Sequence, residues 1–192
     1  MHLQNLFGVM WMYEKISVLR ERLNKMKQNR SAKQNGQTFH FSPFSQKQKQ
    51  VLTWWCEGSP VHDKDGIIAD GAIRSGKTIS MSLSFAMWAM NTFNGQNFAM
   101  CGKTIGSFRR NVLFWLKLML RSRGYSITDH RADNLLTIRK KGKENYFYIF
   151  GGKDERSQDL IQGITLAGVF FDEVALMPES FVNQATGRCS VD

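Results

Sequence analysis

The chain has 192 residues, 42% of them apolar and 22% charged, with 26 basic against 16 acidic side chains and a net charge of +10. That length suits one ordinary domain and excludes two large ones, and the apolar share excludes wholesale disorder. The basic balance points to a polyanionic partner such as nucleic acid, while the widely spaced Cys56, Cys101 and Cys189 form no Cys-x-x-Cys pair, which argues against a zinc cage and suits a reducing cytosol.

In chain order, the first apolar run, Leu6 to Tyr13, is too short to span a bilayer and has no basic residue before it. Neither a signal peptide nor a membrane helix is expected, so the protein is read as cytoplasmic and not secreted. Ile16, Leu19, Leu23 and Met26 predict a helix within residues 1 to 30, and the polar stretch 31 to 40 reads as a linker. These 40 residues form one unit; 41 to 192 form the second.

In that second unit, Ser45 with Gln48 three residues on predicts a capped helix to about Cys56. A turn region, 58 to 66, follows. Then strands and helices alternate: a strand Gly66 to Asp70, a buried helix Lys77 to Met90, a strand Asn97 to Cys101, and a helix Ser107 to Arg123 stopped by Gly124. A hairpin, Leu135 to Arg139 and Tyr146 to Phe150, turns through "KKGKE". A short helix near Asp154 to Ile161, a strand Gly168 to Phe171 and a helix from about Pro178 complete the series. The alternation predicts an α/β fold with a mostly parallel central sheet flanked by helices.

The stretch "DGAIRSGKTIS" (70 to 80) matches G-x-x-x-x-G-K-[ST] between a predicted strand and a buried helix. Gly71, Ala72, Ile73, Arg74, Ser75, Gly76, Lys77 and Thr78 form the expected phosphate cradle. The glycines let backbone N–H groups converge on phosphate oxygens, and the helix N-terminus adds positive potential. Lys77 reaches the β and γ phosphates of ATP, and the Thr78 hydroxyl ligates Mg²⁺.

"LAGVFFDEVALMP" (166 to 178) ends an apolar strand on two carboxylates. A bound metal explains why charge sits there. Asp172 is expected to hold Mg²⁺ and Glu173 to serve as general base for the attacking water. The added Glu favours hydrolysis over transfer to a metabolite, and argues against a binding module without turnover.

"DGAIRSGKT" and "GGKDERSQDLIQGITLAGVFFDEVALMPESFVNQATGRCS" resemble the N-terminal ATPase domain of a tailed-phage terminase large subunit of the PBSX type. The likeness runs from about Phe41 to the end. It implies a P-loop NTPase of the ASCE type, and a motor that packs double-stranded DNA into a procapsid. The implied partners are a portal protein, a small terminase subunit and copies of itself in a ring on the portal. By the same resemblance Arg74 contacts the γ-phosphate, and a glutamine among Gln46, Gln48 and Gln50 contacts adenine. Gln48 is favoured, though it is equally placed to close a capping box with Ser45. The family continues into a nuclease domain and places a later strand between the loop strand and the acidic-pair strand. Both are expected beyond Asp192, so the fold is expected to be incomplete at the C-terminus and without nuclease activity. A helicase-like ATPase is the alternative.

Arg139, Lys140, Lys141 and Lys143 at the hairpin tip, and Arg109-Arg110 near a helix start, are candidate DNA contacts. A solvated turn competes with that reading for the hairpin cluster.

Overall fold

The structure, a computed structural model, describes residues 43–191 except 73, 154–158 and 160. The chain divides into two units, Met1–Phe41 and Ser42–Asp192, and everything described belongs to the second. The helix and linker expected within the first 40 residues therefore lie outside the described residues. So do Ile73 of the phosphate loop and most of the short helix expected near Asp154.

The elements run α1 (Gln46–Leu52), α2 (Lys77–Thr92), β1 (Asn97–Gly102), α3 (Ile105–Phe108), a π-helical turn (Arg109–Leu113), α4 (Phe114–Ser122), β2 (Ser126–His130), β3 (Leu135–Lys140), β4 (Lys143–Gly151), β5 (Gly168–Phe171), a 3₁₀ turn (Val174–Leu176) and α5 (Glu179–Gly187). The strands form one sheet in the order β2-β3-β4-β1-β5. β1 is parallel to both β4 and β5, and β2 and β3 add an antiparallel flank.

β1 lies mid-sheet and is buried on both faces, which is why "NFAMCG" reads as an unbroken apolar run. Its alternate residues feed two cores. On one face Phe98 stacks on Phe147 at 5.0 Å, and Phe85 and Trp88 of α2 reach Phe98 at 5.8 and 5.9 Å. On the other face Ala99 and Cys101 join Phe150, Leu166, Met177, Phe181 and Ala185, so α5 covers the side opposite α2. α2 ends where the fully buried Asn145 of β4 holds it: the amide donates to the Ala89 and Phe93 carbonyls at 3.1 and 3.0 Å. Its oxygen accepts the Gln96 N–H at 2.9 Å, so this buried polar side chain is satisfied.

Most expected elements are found, with five differences. The strand expected over Gly66 to Asp70 is absent: residues 66–72 form no ladder, and Ile68 is 95% exposed. A separate bridge lies just before β5. There Leu166 donates to the Arg188 carbonyl and accepts from the Ser190 N–H, making a parallel bridge to Cys189. Ala167 turns the other way, to Asn97 on β1. β5 itself ends the sheet, and residues 66–72 pair with no strand among the described residues.

The first helix ends at Leu52, short of Cys56, and turns follow up to residue 63. The helix expected from Ser107 begins at Ile105, because Thr104 caps it by accepting the Ser107 N–H. Its π turn draws Arg109 inward to Asp129 at 2.9 Å and Asn134 at 3.2 Å. Finally, β2 was not anticipated. "SITDH" alternates on the sheet flank with few large apolar residues, so its signal was weak. The hairpin is longer than expected and turns tightly at Lys141 and Gly142, both at positive φ (49° and 80°), as a two-residue turn that matches strand twist.

Candidate functional site

The 3.6-residue period of α2 begins immediately after Gly76, so the helix points its N-terminus at the glycine-rich loop. Gly76 sits at φ 80° and serves as the helix's N-cap, a conformation open to glycine. At the loop's start Asp70 accepts the Gly71 N–H at 2.7 Å. Sequence reasoning missed this side-chain-to-backbone contact.

Lys77 folds back over the loop. Its Nζ donates to the Gly71 carbonyl and, at 2.8 Å, to the Ala72 carbonyl. The ammonium is thus held against the loop that the motif assigns to phosphates, by neutral carbonyl acceptors.

Thr78, one residue further, reaches across to the end of β5, where its hydroxyl donates to Asp172 Oδ1 at 2.9 Å. Asp172 continues the line of β5 by donating its N–H to the Cys101 carbonyl. Burial pushes the half-buried Asp172 carboxyl above its ordinary range. The Thr78 hydrogen bond pulls against that rise, and the Glu173 charge adds to it. Two hard oxygen donors side by side at the mouth of a phosphate loop fit Mg²⁺, which takes few protein ligands and completes its shell with phosphates and water. Among the described residues no group of three or more His, Cys, Asp or Glu side chains gathers to hold a metal by itself.

Glu173 is exposed and lies in the left-handed region (φ 59°, ψ 51°), where it starts the 3₁₀ turn. Arg74 is exposed too and also left-handed, at φ 63°. Such a backbone costs a non-glycine residue about 1 kcal/mol or more, and it clusters at functional sites. The two residues that the sequence assigns to γ-phosphate chemistry therefore share an unfavourable backbone state, which no sequence pattern announced.

Gln48 does two things at once. Its Oε1 accepts the Ser45 N–H at 2.9 Å and its backbone N–H donates to Ser45 Oγ at 3.3 Å, closing the expected capping box. Its Nε2 donates to the Ser75 carbonyl at 2.9 Å. Gln46 and Gln50, the other candidates, are exposed on α1.

The basic candidates for DNA are mostly engaged within the fold. Arg139 pairs with Glu144 and with Thr128 Oγ1. Lys140 donates to the Arg123 carbonyl at 2.9 Å and lies 4.1 Å over the Tyr125 ring. Lys143 donates to the Asn91 carbonyl, and Arg109 is held by Asp129. Lys141 and Arg110 are exposed. Among the described residues, no helix is long and apolar enough to cross a membrane.

No curated protein matches the chain. Among solved structures, the large terminase of a thermophilic bacteriophage (crystal form 2) is 75% identical with a TM-score of 0.77, over 79% of this chain and 37% of that one. The same phage's large terminase in complex with ADP is 74% identical (TM-score 0.74; 78% of this chain, 37% of that one). Its complex with ATP-gamma-S is 71% identical (TM-score 0.73; 78% and 36%). The chain thus spans little more than a third of the length of these relatives. The family described as terminase large subunit, T4-like-virus type, N-terminal, matches residues 68–188, the span from the phosphate loop through the acidic pair to the end of α5. The chain belongs to the terminase large subunit family and carries its N-terminal domain.

Proposed function

We propose that this chain is the ATP-hydrolysing motor domain of a viral large terminase, which drives double-stranded DNA into a procapsid. The observation that carries the reading is the Thr78–Asp172 hydrogen bond, which brings the end of the phosphate loop and the acidic pair into one site. The large terminase of the thermophilic phage, about three quarters identical, binds ADP and ATP-gamma-S, and that supports ATP as the ligand here.

In the proposed cycle the loop N–H groups and the α2 N-terminus take the phosphates, and Lys77 exchanges its carbonyl partners for β and γ oxygens. Thr78 and Asp172 would hold Mg²⁺, which would supply charge neutralisation at the phosphates. Glu173 accepts a proton from water as the water oxygen bonds to the γ phosphorus and the bond to the β-γ bridging oxygen breaks. Arg74 faces the charge that spreads over the transferring group. ADP and inorganic phosphate leave, and the proton passes from Glu173 to solvent.

A portal protein, a small terminase subunit, a homo-oligomeric ring and action in the cytoplasm of a bacterial host follow as proposals from the family resemblance. The narrower PBSX type rests on the motifs alone; the matching family is described as T4-like.

Isothermal titration with ATP and Mg²⁺ tests the site. Lys77→Ala is expected to lose ATP binding and turnover, because the cation facing the phosphates is gone. Unchanged affinity together with unchanged turnover would overturn the assignment.

A further inference from the structure

We propose that Gln48 is a positioning residue that sets the phosphate loop through the Ser75 carbonyl, and that it serves the triphosphate whatever base is attached. The inference rests on the nucleotide-site reading above.

Gln48 is not a loose surface side chain. Its amide oxygen is taken by the Ser45 N–H at 2.9 Å, which fixes which end of the amide faces the loop. The opposite end then donates to the Ser75 carbonyl, 27 positions away in sequence, at 2.9 Å. The platform itself is tied to the helix that the loop opens: Ser84 of α2 donates to the Val51 carbonyl of α1 at 2.6 Å, and Leu52 is buried.

The consequence follows from peptide geometry. No cis peptide occurs among the described residues, and a trans peptide points its carbonyl and N–H in opposite directions. Drawing the Ser75 carbonyl toward α1 therefore turns the Gly76 N–H away from α1, toward the hollow where phosphate is expected. The contact is close. A Cβ at Gly76 would lie 2.6 Å from Gln48 Nε2, so the strut packs where only glycine fits, at φ 80°. The base contact that the family resemblance implies would use the amide's second N–H and is a separate property.

The test measures binding of Mg-ATP, Mg-GTP and Mg-tripolyphosphate, which has no base, to the full chain. Gln48→Met removes the donor and the acceptor without adding charge. Gln48→Glu keeps the oxygen that Ser45 needs and removes the donor. Ser45→Ala weakens the same helix cap but leaves the Gln48 amide in place. Both Gln48 variants are expected to lose about fivefold or more in affinity for all three ligands, the scale of one hydrogen bond. Ser45→Ala is expected to keep wild-type affinities, and Gln48→Glu the wild-type melting temperature. Unchanged tripolyphosphate affinity in Gln48→Met overturns the proposal even if ATP affinity falls, since Gln48 would then read the base. An equal loss in Ser45→Ala overturns it too, because the cap alone would account for the effect. Wild-type protein that binds none of the three ligands overturns the nucleotide-site reading itself, and the proposal with it.

Discussion

Thr78 and Asp172 lie 94 positions apart and share one hydrogen bond of 2.9 Å, hydroxyl to carboxylate. That bond holds the loop's last residue against the strand that carries the acidic pair. It also holds together two oxygens that are poised for a hard cation.

The Asp172 carboxyl is raised above its ordinary range by burial, with the Thr78 bond opposing and the Glu173 charge adding. A raised folded pKa means that the folded state holds this proton more tightly than the unfolded chain. Its stabilising contribution is present at low pH and is lost as pH rises through the folded pKa. Without Mg²⁺, Asp172→Asn is therefore expected to melt above wild type at neutral pH. Mg²⁺ selects the carboxylate, so Mg²⁺ affinity in the presence of ATP is expected to climb with pH across that titration, and to be weak and flat in Asp172→Asn. Magnesium titrations at several pH values check this; an identical pH response in both proteins would remove Asp172 from the metal site.

Glu173→Gln separates binding from chemistry. The amide keeps the shape and cannot accept the water's proton, so ATP binding is retained while hydrolysis falls about a hundredfold or more. Equilibrium titration and single-turnover hydrolysis give the two halves of the result. Wild-type turnover in the variant would make Glu173 a surface acid held in an unfavourable backbone state for some other reason.

Far from the site, Asp129 on β2 takes Arg109 at 2.9 Å and Lys117 at 2.7 Å. Burial raises its carboxyl, but the hydrogen bonds and charges of Lys117 and Arg109 outweigh that and leave it below its ordinary range. A depressed folded pKa gives stability that is present above the unfolded value and lost as pH falls through the folded one. Asp129→Ala leaves two part-buried cations facing each other and is expected to cost about 3 kcal/mol at neutral pH. Urea melts at neutral and acid pH should show the gap between variant and wild type closing on acidification. A constant gap would assign the loss to packing instead.

Local pattern determined a good part of this protein. "GAIRSGKT" and "FFDE" named the phosphate loop and the acidic pair, since the phosphate chemistry needs those residue types at fixed spacing. Ser45 and Gln48 announced their capping box, because a cap is closed within four residues. The apolar runs of β1 and β5 were legible because both faces of these strands are covered.

Only the tertiary structure decided the rest. Residues 66–70 look like a strand, yet a strand exists only where a neighbour supplies a ladder, and among the described residues none pairs with them. The basic hairpin is legible as a charge cluster, but that Arg139, Lys140 and Lys143 are engaged by Glu144, Arg123, Tyr125 and Asn91 depends on partners that only folding brings within reach. The left-handed backbones of Arg74 and Glu173 have no local signal, because the surrounding fold must impose them against their own preference. The bond from Gln48 to Ser75 likewise joins two segments that meet only because α1 is fastened to α2.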